Sequence, residues 1–231
     1  MSAERQSTLV PVPVGILGGM FDPVHCGHLR TALEVLESCR LGELRLMPCG
    51  QPPHRAAAIA PAALRLRMLH AAVAGEPRLA VEELELQRAG PSYTVDSLLT
   101  LRARLGATPL CLVLGADAFA GLPTWHRWRE LGELCHLIVV HRPGHELSPA
   151  GEVATLLAAR RNDDPRALRA ASAGVICVRQ VTALDISSSM IRTLVARGGD
   201  PRYLVPEAVR ELIITAGCYR SSGPSGPSGP A

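Results

Sequence analysis

Short apolar stretches of the chain alternate with stretches in which apolar residues recur every three or four positions. The short stretches predict buried strands, and the three-to-four spacing predicts helices that place one face on a core. The predicted strands are Val12–Leu17, Leu44–Met47, Leu79–Val81, Leu110–Leu114, Leu137–Val140 and Val175–Val178. The predicted helices are Leu29–Leu36, Ala62–Val73, Val95–Leu105, Ala154–Arg161, Ser188–Arg197 and Glu207–Ala216.

Strands that alternate with helices of this length indicate βαβ units, and hence an α/β fold with a parallel sheet covered on both faces. Thr94 is the predicted N-cap of its helix, and Pro206 is expected to start the last helix. A single domain is expected over residues 12–220. It follows a flexible N-terminus, 1–11, and precedes a disordered Ser-Gly-Pro tail, 221–231.

The composition fits one globular domain with a core of aliphatic side chains. Of the 231 residues, 47% are hydrophobic but only 3% are aromatic, so leucine, valine, isoleucine and alanine must fill the interior. The net charge is +3 without basic runs, which does not favour binding to nucleic acid. The sequence has arginine but no lysine; the planar group of arginine suits phosphate oxygens, but a compositional bias of the genome is the stronger explanation.

Cysteine usage and hydropathy favour the cytoplasm. The seven cysteines are scattered, odd in number and without CxxC spacing, which is typical of a reducing compartment. Residues Met1–Val10 lack the apolar core of a signal peptide, and no apolar run approaches the length needed to span a membrane. We therefore expect a cytoplasmic protein without a membrane partner. The sequence leaves open whether the chain forms a homo-oligomer.

A first candidate phosphate site is the string GGMFDPVHCGH, residues 18–28, which follows the first predicted strand and opens the first helix. Gly18 and Gly19 allow a tight turn and a close approach of the backbone to a ligand. A helix N-terminus offers unpaired N–H groups to an anion. His25 and His28 are three residues apart, so both can project to one side and donate hydrogen bonds to phosphate oxygens.

Each part of this string also has a simpler interpretation. The glycines could form a structural turn, and a single histidine on a helix is more often a surface or core residue. His25, Cys26 and His28 could bind a metal, but no fourth ligand is nearby and the spacing fits no zinc pattern, so no metal site is expected. The whole string in a strand–turn–helix context favours the phosphate interpretation.

A second candidate phosphate site is the string ISSSMIR, residues 186–192. Successive hydroxyls at a helix N-terminus, followed one turn later by Arg192, form a cluster of donors suited to the β- and γ-phosphates of a nucleotide. The alternative is a serine-rich N-cap with a solvated Arg192. The position downstream of the first string, at a distance that closes one domain, favours the phosphate site.

The two strings resemble the GGxFDPxHxGH and ISSTxIR signatures of the nucleotidylyltransferase superfamily. The resemblance implies a Rossmann-like doubly wound parallel sheet in a single nucleotidylyltransferase domain, and attack on the α-phosphate of a nucleoside triphosphate with release of pyrophosphate. His25, His28 and Arg192 are the expected catalytic residues. Met20 departs from the usual Thr or Ser and keeps only its backbone N–H, whereas Ser189 keeps the hydroxyl of the usual Thr. The implied ATP-binding residues are Gly18, Gly19, Met20, Phe21, Gly27, His28, Gly115, Asp117, Ile186, Ser187, Ser188, Ser189 and Arg192.

Four further strings resemble segments of the nicotinate-nucleotide adenylyltransferase branch. They are PPHR (52–55), PSYT (91–94), LPTWHRW (122–128) and HRPG (141–144). The match runs from about Val14 to Arg220, so it covers nearly the whole chain. The residues implied to bind the acceptor are Gly19, His54, Arg55, Tyr93, Thr94, Trp125, His126 and Arg142.

The aromatic residues among these suit a pyridine ring. A flat, electron-poor ring prefers an aromatic face, and arginine or backbone N–H groups can hold its carboxylate. The resemblance implies Trp125 as the stacking partner, whereas a core pair is the alternative for Trp125 and Trp128. Helix capping is likewise the alternative for Thr94 and for the implied nucleotide contact at Asp117.

The resemblance therefore implies transfer of the adenylyl group of ATP to nicotinate mononucleotide, giving deamido-NAD and pyrophosphate in NAD biosynthesis. Mg²⁺ is expected with ATP, held largely by substrate and water, so that no dedicated carboxylate cage is needed. Adenylyl transfer to pantetheine phosphate or to nicotinamide mononucleotide is the alternative reaction. A non-catalytic nucleotide-binding regulator is the alternative from another class.

Overall fold

A computed structural model describes residues 11–51, 57–144 and 147–220. Six strands lie in these ranges: β1 (Val14–Gly19), β2 (Glu43–Pro48), β3 (Leu79–Val81), β4 (Leu110–Gly115), β5 (His136–His141) and β6 (Ile176–Gln180). The helices of the same ranges are α1 (Cys26–Ser38), α2 (Ala62–Val73), α3 (Leu84–Gln87), α4 (Thr94–Leu105), α5 (Ala116–Ala120), α6 (Leu131–Leu134), α7 (Gly151–Arg160), α8 (Ala167–Ala170), α9 (Ser188–Ala196) and α10 (Glu207–Thr215).

The strands form one parallel sheet in the order β3-β2-β1-β4-β5-β6. The chain moves outward from β1 to β3, then returns to the other side of β1 and moves outward again from β4 to β6. The Cα of Val14 is therefore paired with Glu43 on one side and with Leu110 on the other. This reversal between β1 and β4 is where doubly wound sheets leave a crevice for ligands. The predicted Rossmann-like doubly wound sheet is confirmed.

Helices cover both faces of the sheet, and the side chains of the strands pack into two separate hydrophobic cores, one on each face. In β4, the side chains of Cys111 and Val113 join the core under α1, α2, α9 and α10. Leu110, Leu112 and Leu114 join the other core, beside α4, α6 and α7. Side chains of a strand alternate between faces, so a strand that is apolar throughout is one that is buried on both sides. None of the described helices combines the length and apolarity needed to cross a bilayer.

Each predicted strand and helix is present, with bounds that differ by no more than three residues. The helices that the pattern missed (α3, α5, α6 and α8) have four or five residues, too few to show a helical period. The predicted N-cap Thr94 was wrong. Thr94 is the first residue of α4, and Tyr93 occupies the N-cap with an extended backbone and no capping side chain. Pro206 occupies the N-cap of α10.

Candidate active site

A cleft of about 570 Å³ opens at the carboxyl ends of β1, β4 and β5, beside the start of α9. Its walls come from four segments that are far apart in sequence, because all strands of a parallel sheet end at one edge. Thr31 and Thr182 also line the cleft, and neither belongs to a motif, so only their polarity could have indicated them. The residues implied above that line this cleft are His25, Gly27, His28, Gly115, Asp117, Arg142, Ile186, Ser187 and Ser188.

The two predicted phosphate sites are in direct contact. A guanidinium nitrogen of Arg192 donates to the carbonyl oxygen of Asp22 at 2.8 Å, and the hydroxyl of Ser188 donates to that of Pro23 at 2.8 Å. A Cβ added to Gly27 would lie 3.6 Å from the carbonyl oxygen of Ile186 and 3.1 Å from Nδ1 of His25. The histidine-bearing loop and the serine-bearing helix start therefore form one surface.

His25 and His28 form a stacked pair at the start of α1. Their ring centroids are 3.6 Å apart with an interplanar angle of 23°, and the edge of Phe21 meets His28 at 4.9 Å. The backbone N–H of His25 donates to Nδ1 of His28 at 3.3 Å. Because Nδ1 accepts this bond, a neutral His28 carries its proton on Nε2, and that N–H is the group it can offer to a ligand.

Both histidines are held neutral. Burial lowers the pKa of His25 to about 4. Burial, followed by repulsion from His25, lowers the pKa of His28 to about 3. Two stacked imidazoles cannot both carry a proton at low cost, so at neutral pH the pair presents uncharged N–H groups. Such groups can stabilise negative charge that grows during a reaction.

At the second candidate phosphate site, one serine caps the helix and the serines also remain available to a ligand. The Ser187 hydroxyl caps α9 by accepting from the N–H of Met190 at 3.2 Å, and it lies 3.2 Å from the hydroxyl of Ser189. Ser187 and Ser189 are nevertheless exposed. The alternative of a solvated Arg192 was wrong, because this side chain is half-buried against Asp22. The start of α9 is therefore capped and still offers hydroxyls to the cleft.

A second group of implied residues lies on the β2 side of β1. The carbonyl of Gly19 accepts from the N–H of Cys49 at 2.8 Å. Two hydrogen bonds then join Gln51 to Ser92: the N–H of Ser92 donates to the Gln51 carbonyl at 2.9 Å, and that of Gln51 to the Ser92 hydroxyl at 3.3 Å. The chain that leads into the PPHR segment is therefore fixed beside the PSYT segment. His54 and Arg55 themselves lie outside the described residues.

Aromatic rings accompany this group. The rings of Tyr93 and His126 are 4.5 Å apart. Trp128 is buried, as the core interpretation predicted, whereas Trp125 is only partly buried and retains an accessible surface. An ion pair of 3.6 Å between Arg127 and Asp96 holds this loop beside the start of α4. The implied acceptor residues Tyr93 and His126 are thus together, and Trp125 directly precedes His126 in the sequence.

Other implied residues are placed differently. Arg142 is exposed just after β5, 3.9 Å from Asp185, and lines the same cleft as the histidine pair and not the group around Tyr93. Gly18 and Gly19 end β1, between the two groups. Arg65 was missed, because an arginine in a helical pattern predicts a solvated position; it is buried and donates to the carbonyl of Met20 at 2.8 Å. Among the described residues, no three His, Cys, Asp or Glu side chains are placed to share a metal ion.

Comparison with known sequences places this architecture in a class. The profile of the cytidylyltransferase-like family matches residues 16–194, a range that runs from β1 into α9 and includes both strings. The chain is therefore a nucleotidyltransferase of the cytidylyltransferase-like class.

Two similar proteins indicate which family of nucleotidyltransferases the chain belongs to. A protein from Halorhodospira halophila is 49% identical over 206 residues, which are 89% of this chain and 94% of the relative. One from Pseudomonas entomophila is 49% identical over 217 residues, which are 94% of this chain and 99% of the relative. Both are named "Probable nicotinate-nucleotide adenylyltransferase". The chain belongs to the nicotinate-nucleotide adenylyltransferase family, as the sequence motifs predicted.

A solved structure shares the fold. It is the Plasmodium falciparum nicotinic acid mononucleotide adenylyltransferase complexed with NaAD, with a TM-score of 0.69 and 15% sequence identity. The likeness covers 90% of this chain and 97% of that one. At 15% identity this likeness shows only that the two chains share the same single-domain fold.

The histidine pair makes a prediction for stability against pH. The unfolded chain takes up protons on these histidines near pH 6.5, whereas the folded pair resists protonation until about pH 4 and about pH 3. Their contribution is therefore complete above pH 6.5 and is lost as the pH falls. We expect the free energy of unfolding to decline by about 1.4 kcal/mol for each pH unit and each histidine.

The measurement is denaturant unfolding of the parent and of His25→Asn/His28→Asn between about pH 7.5 and about pH 4.5. The double variant should show a shallower decline. His70→Asn, at an exposed position on α2, is the matched control and should follow the parent. Equal slopes in the parent and the double variant would contradict the neutral pair.

Proposed function

We propose that the protein transfers the adenylyl group of ATP to nicotinate mononucleotide, giving deamido-NAD and pyrophosphate in NAD biosynthesis. One observation carries the proposal: the neutral histidine pair and the capped serine cluster line the same cleft. The names of the relatives support nicotinate mononucleotide as the acceptor. The fold likeness to a protein solved with NaAD supports a dinucleotide product.

The reaction needs no nucleophile from the protein. A phosphate oxygen of the mononucleotide attacks the α-phosphorus of ATP in line, the new P–O bond forms, and the bond to the β-phosphate breaks with its electron pair on pyrophosphate. Neutral N–H donors of His25 and His28 would stabilise the charge that grows during this exchange. The hydroxyls at the start of α9 and the Arg192 guanidinium would hold the leaving phosphates.

We propose Mg²⁺ as the companion of ATP. Asp117 contributes a carboxylate to the cleft wall, and it is exposed at the start of α5. One exposed carboxylate fits a hydrated magnesium ion whose remaining ligands are phosphate oxygens and water. When bound, the ion neutralises part of the triphosphate charge.

The start of α4 favours nicotinate over nicotinamide as the pyridine ring of the acceptor. Tyr93 is the N-cap of α4, and its side chain makes no capping hydrogen bond. The first backbone N–H groups of the helix, from Thr94 onward, are therefore not occupied by a capping side chain. The N–H groups of Asp96 and Ser97 already donate to the Tyr93 carbonyl. Unpaired N–H groups at a helix N-terminus favour a carboxylate over an uncharged amide. The partly exposed Trp125 and the Tyr93–His126 pair would face the ring.

Pyrophosphate release tests the proposal against its alternatives. The purified protein is incubated with ATP, Mg²⁺ and either nicotinate mononucleotide, nicotinamide mononucleotide, pantetheine phosphate or no acceptor. We expect the largest kcat/KM with nicotinate mononucleotide. A larger value with another acceptor would replace the assigned substrate, and release with none of them would favour the non-catalytic regulator.

His28→Ala tests the role of the histidine pair. Loss of the Nε2–H donor should lower kcat by about 10² to 10³-fold, the usual effect of removing one preorganised donor to a transition state. Circular dichroism should show an intact fold. His70→Ala, at an exposed position, should match the parent, whereas near-parent turnover in a folded His28→Ala protein would remove the histidines from the mechanism.

Arg192→Ala tests the role of α9. Loss of a charged hydrogen-bond donor to phosphate should raise the KM for ATP by about tenfold or more, with a smaller effect on the KM of the acceptor. Arg197→Ala, at the exposed C-cap of the same helix, is the matched control. Unchanged ATP kinetics in Arg192→Ala would contradict a phosphate role for this guanidinium.

The cytoplasm remains the proposed location. All seven cysteines are free thiols, and four of them are buried, which supports a reducing compartment. ATP and the mononucleotide are the proposed partners.

A further inference from the structure

We propose that Tyr219 is a positioning residue for the adenylyl transfer. Its hydroxyl donates to Oδ1 of Asp22 at 2.7 Å, across 197 residues of sequence, and so holds the loop that carries the histidine pair. This inference rests on the proposed function, because adenylyl transfer is the reaction whose rate Tyr219 would govern. No motif in the sequence pointed to this residue.

Tyr219 is fixed tightly in its place. It follows α10, and its side chain is buried in the core that contains α1 and α2. Its backbone has a φ of 67°, in the left-handed region that tyrosine rarely adopts. A non-glycine residue stays in this region when its surroundings hold it there. Its hydroxyl is therefore aimed at Asp22 by the fold around it.

The Asp22 carboxylate depends on a small set of donors. It is 4% exposed and accepts from the backbone N–H groups of Ile59 at 2.7 Å and Ala60 at 3.1 Å, besides Tyr219. All three donors are uncharged, and the buried Arg65 guanidinium adds an electrostatic attraction; each hydrogen bond still contributes to holding this buried carboxylate in place. Burial, then the bond to Asp22, raises the pKa of Tyr219 well above its ordinary value, so the hydroxyl keeps its proton.

Asp22 also connects the two candidate phosphate sites, residues 18–28 and 186–192. Its carbonyl accepts from Arg192, and the carbonyl of the next residue accepts from Ser188, both at 2.8 Å. The loop then continues into the N-cap of α1, His25. A shift of Asp22 would therefore move the serine-bearing helix and the histidine pair relative to each other.

The same carboxylate reaches the acceptor side. Ile59 and Ala60 directly precede the N-cap of α2, at the end of the connection that begins with the PPHR segment. Tyr219 is buried in the core and its hydroxyl is already bonded to Asp22, so it acts through this carboxylate and not on the substrates. Loss of its hydroxyl should disturb the alignment of the two reactants more than the binding of either.

Tyr219→Phe is the primary test, because it removes only the hydroxyl. We expect kcat to fall by about tenfold or more, since small misplacements of reactants cost that much. The KM values for ATP and nicotinate mononucleotide should stay within about threefold of the parent. Tyr203→Phe makes the same change at a side chain that is 87% exposed and should match the parent. Parent kcat in folded Tyr219→Phe would overturn the proposal, as would a lower melting temperature with unchanged kcat per folded molecule.

A double-mutant cycle tests the route through Asp22. If Tyr219 acts through this carboxylate, Tyr219→Phe should lower kcat much less in an Asp22→Ala background, which removes the acceptor, than in the parent. If the fold-losses in kcat of the two single variants simply multiply in the double variant, the residues act independently, and the proposed route through Asp22 is overturned.

An acceptor-independent measurement separates this inference from the proposed function. NMR spectra of the histidine rings should show that the His25 and His28 resonances move in Tyr219→Phe and remain in place in Tyr203→Phe. Unmoved resonances would overturn the positioning role. If the parent releases no pyrophosphate with nicotinate mononucleotide, the proposed function fails, while the ring spectra still decide on Tyr219.

Discussion

The whole site depends on the position of β1 between two parallel neighbours from opposite halves of the chain. Because β2 and β4 leave β1 in opposite directions, their following connections diverge and leave a crevice beyond Gly19. One half of the chain brings the segment around Gln51 and the start of α4 to one side. The other half brings β5 and α9 to the opposite side. Two ligands can therefore meet above a single strand end.

The histidine pair gives its part of the crevice no positive charge. Both histidines are uncharged, and the Arg192 guanidinium uses one of its nitrogens for the carbonyl of Asp22. Neutral N–H donors, with the exposed Arg142 on the cleft wall and Arg192 already engaged, can stabilise charge that is redistributed without binding the ground state too tightly. The stacked rings enforce this neutrality, because protonation of one disfavours protonation of the other.

The sequence was informative where a local rule applies. Periodicity located the main strands and helices, and the spacing of His25 and His28 placed both on one side of a helix start. It failed where contacts are long-range: nothing local shows that Asp22 meets Ala60 and Tyr219, or that Arg65 is buried. Short helices failed because they hold barely one turn. The Thr94 cap failed because the helix begins one residue earlier than its apolar pattern.

The bond between residues 22 and 219 also orders events during synthesis. Domains form while the chain is emerging, and their early parts can fold first. Here the loop near the start receives its last donor only after the segment beyond α10 has left the ribosome. A nascent or prematurely terminated chain would present both imidazoles and still lack this support. The loop that carries the histidine pair is thus completed by a residue synthesised 197 positions later.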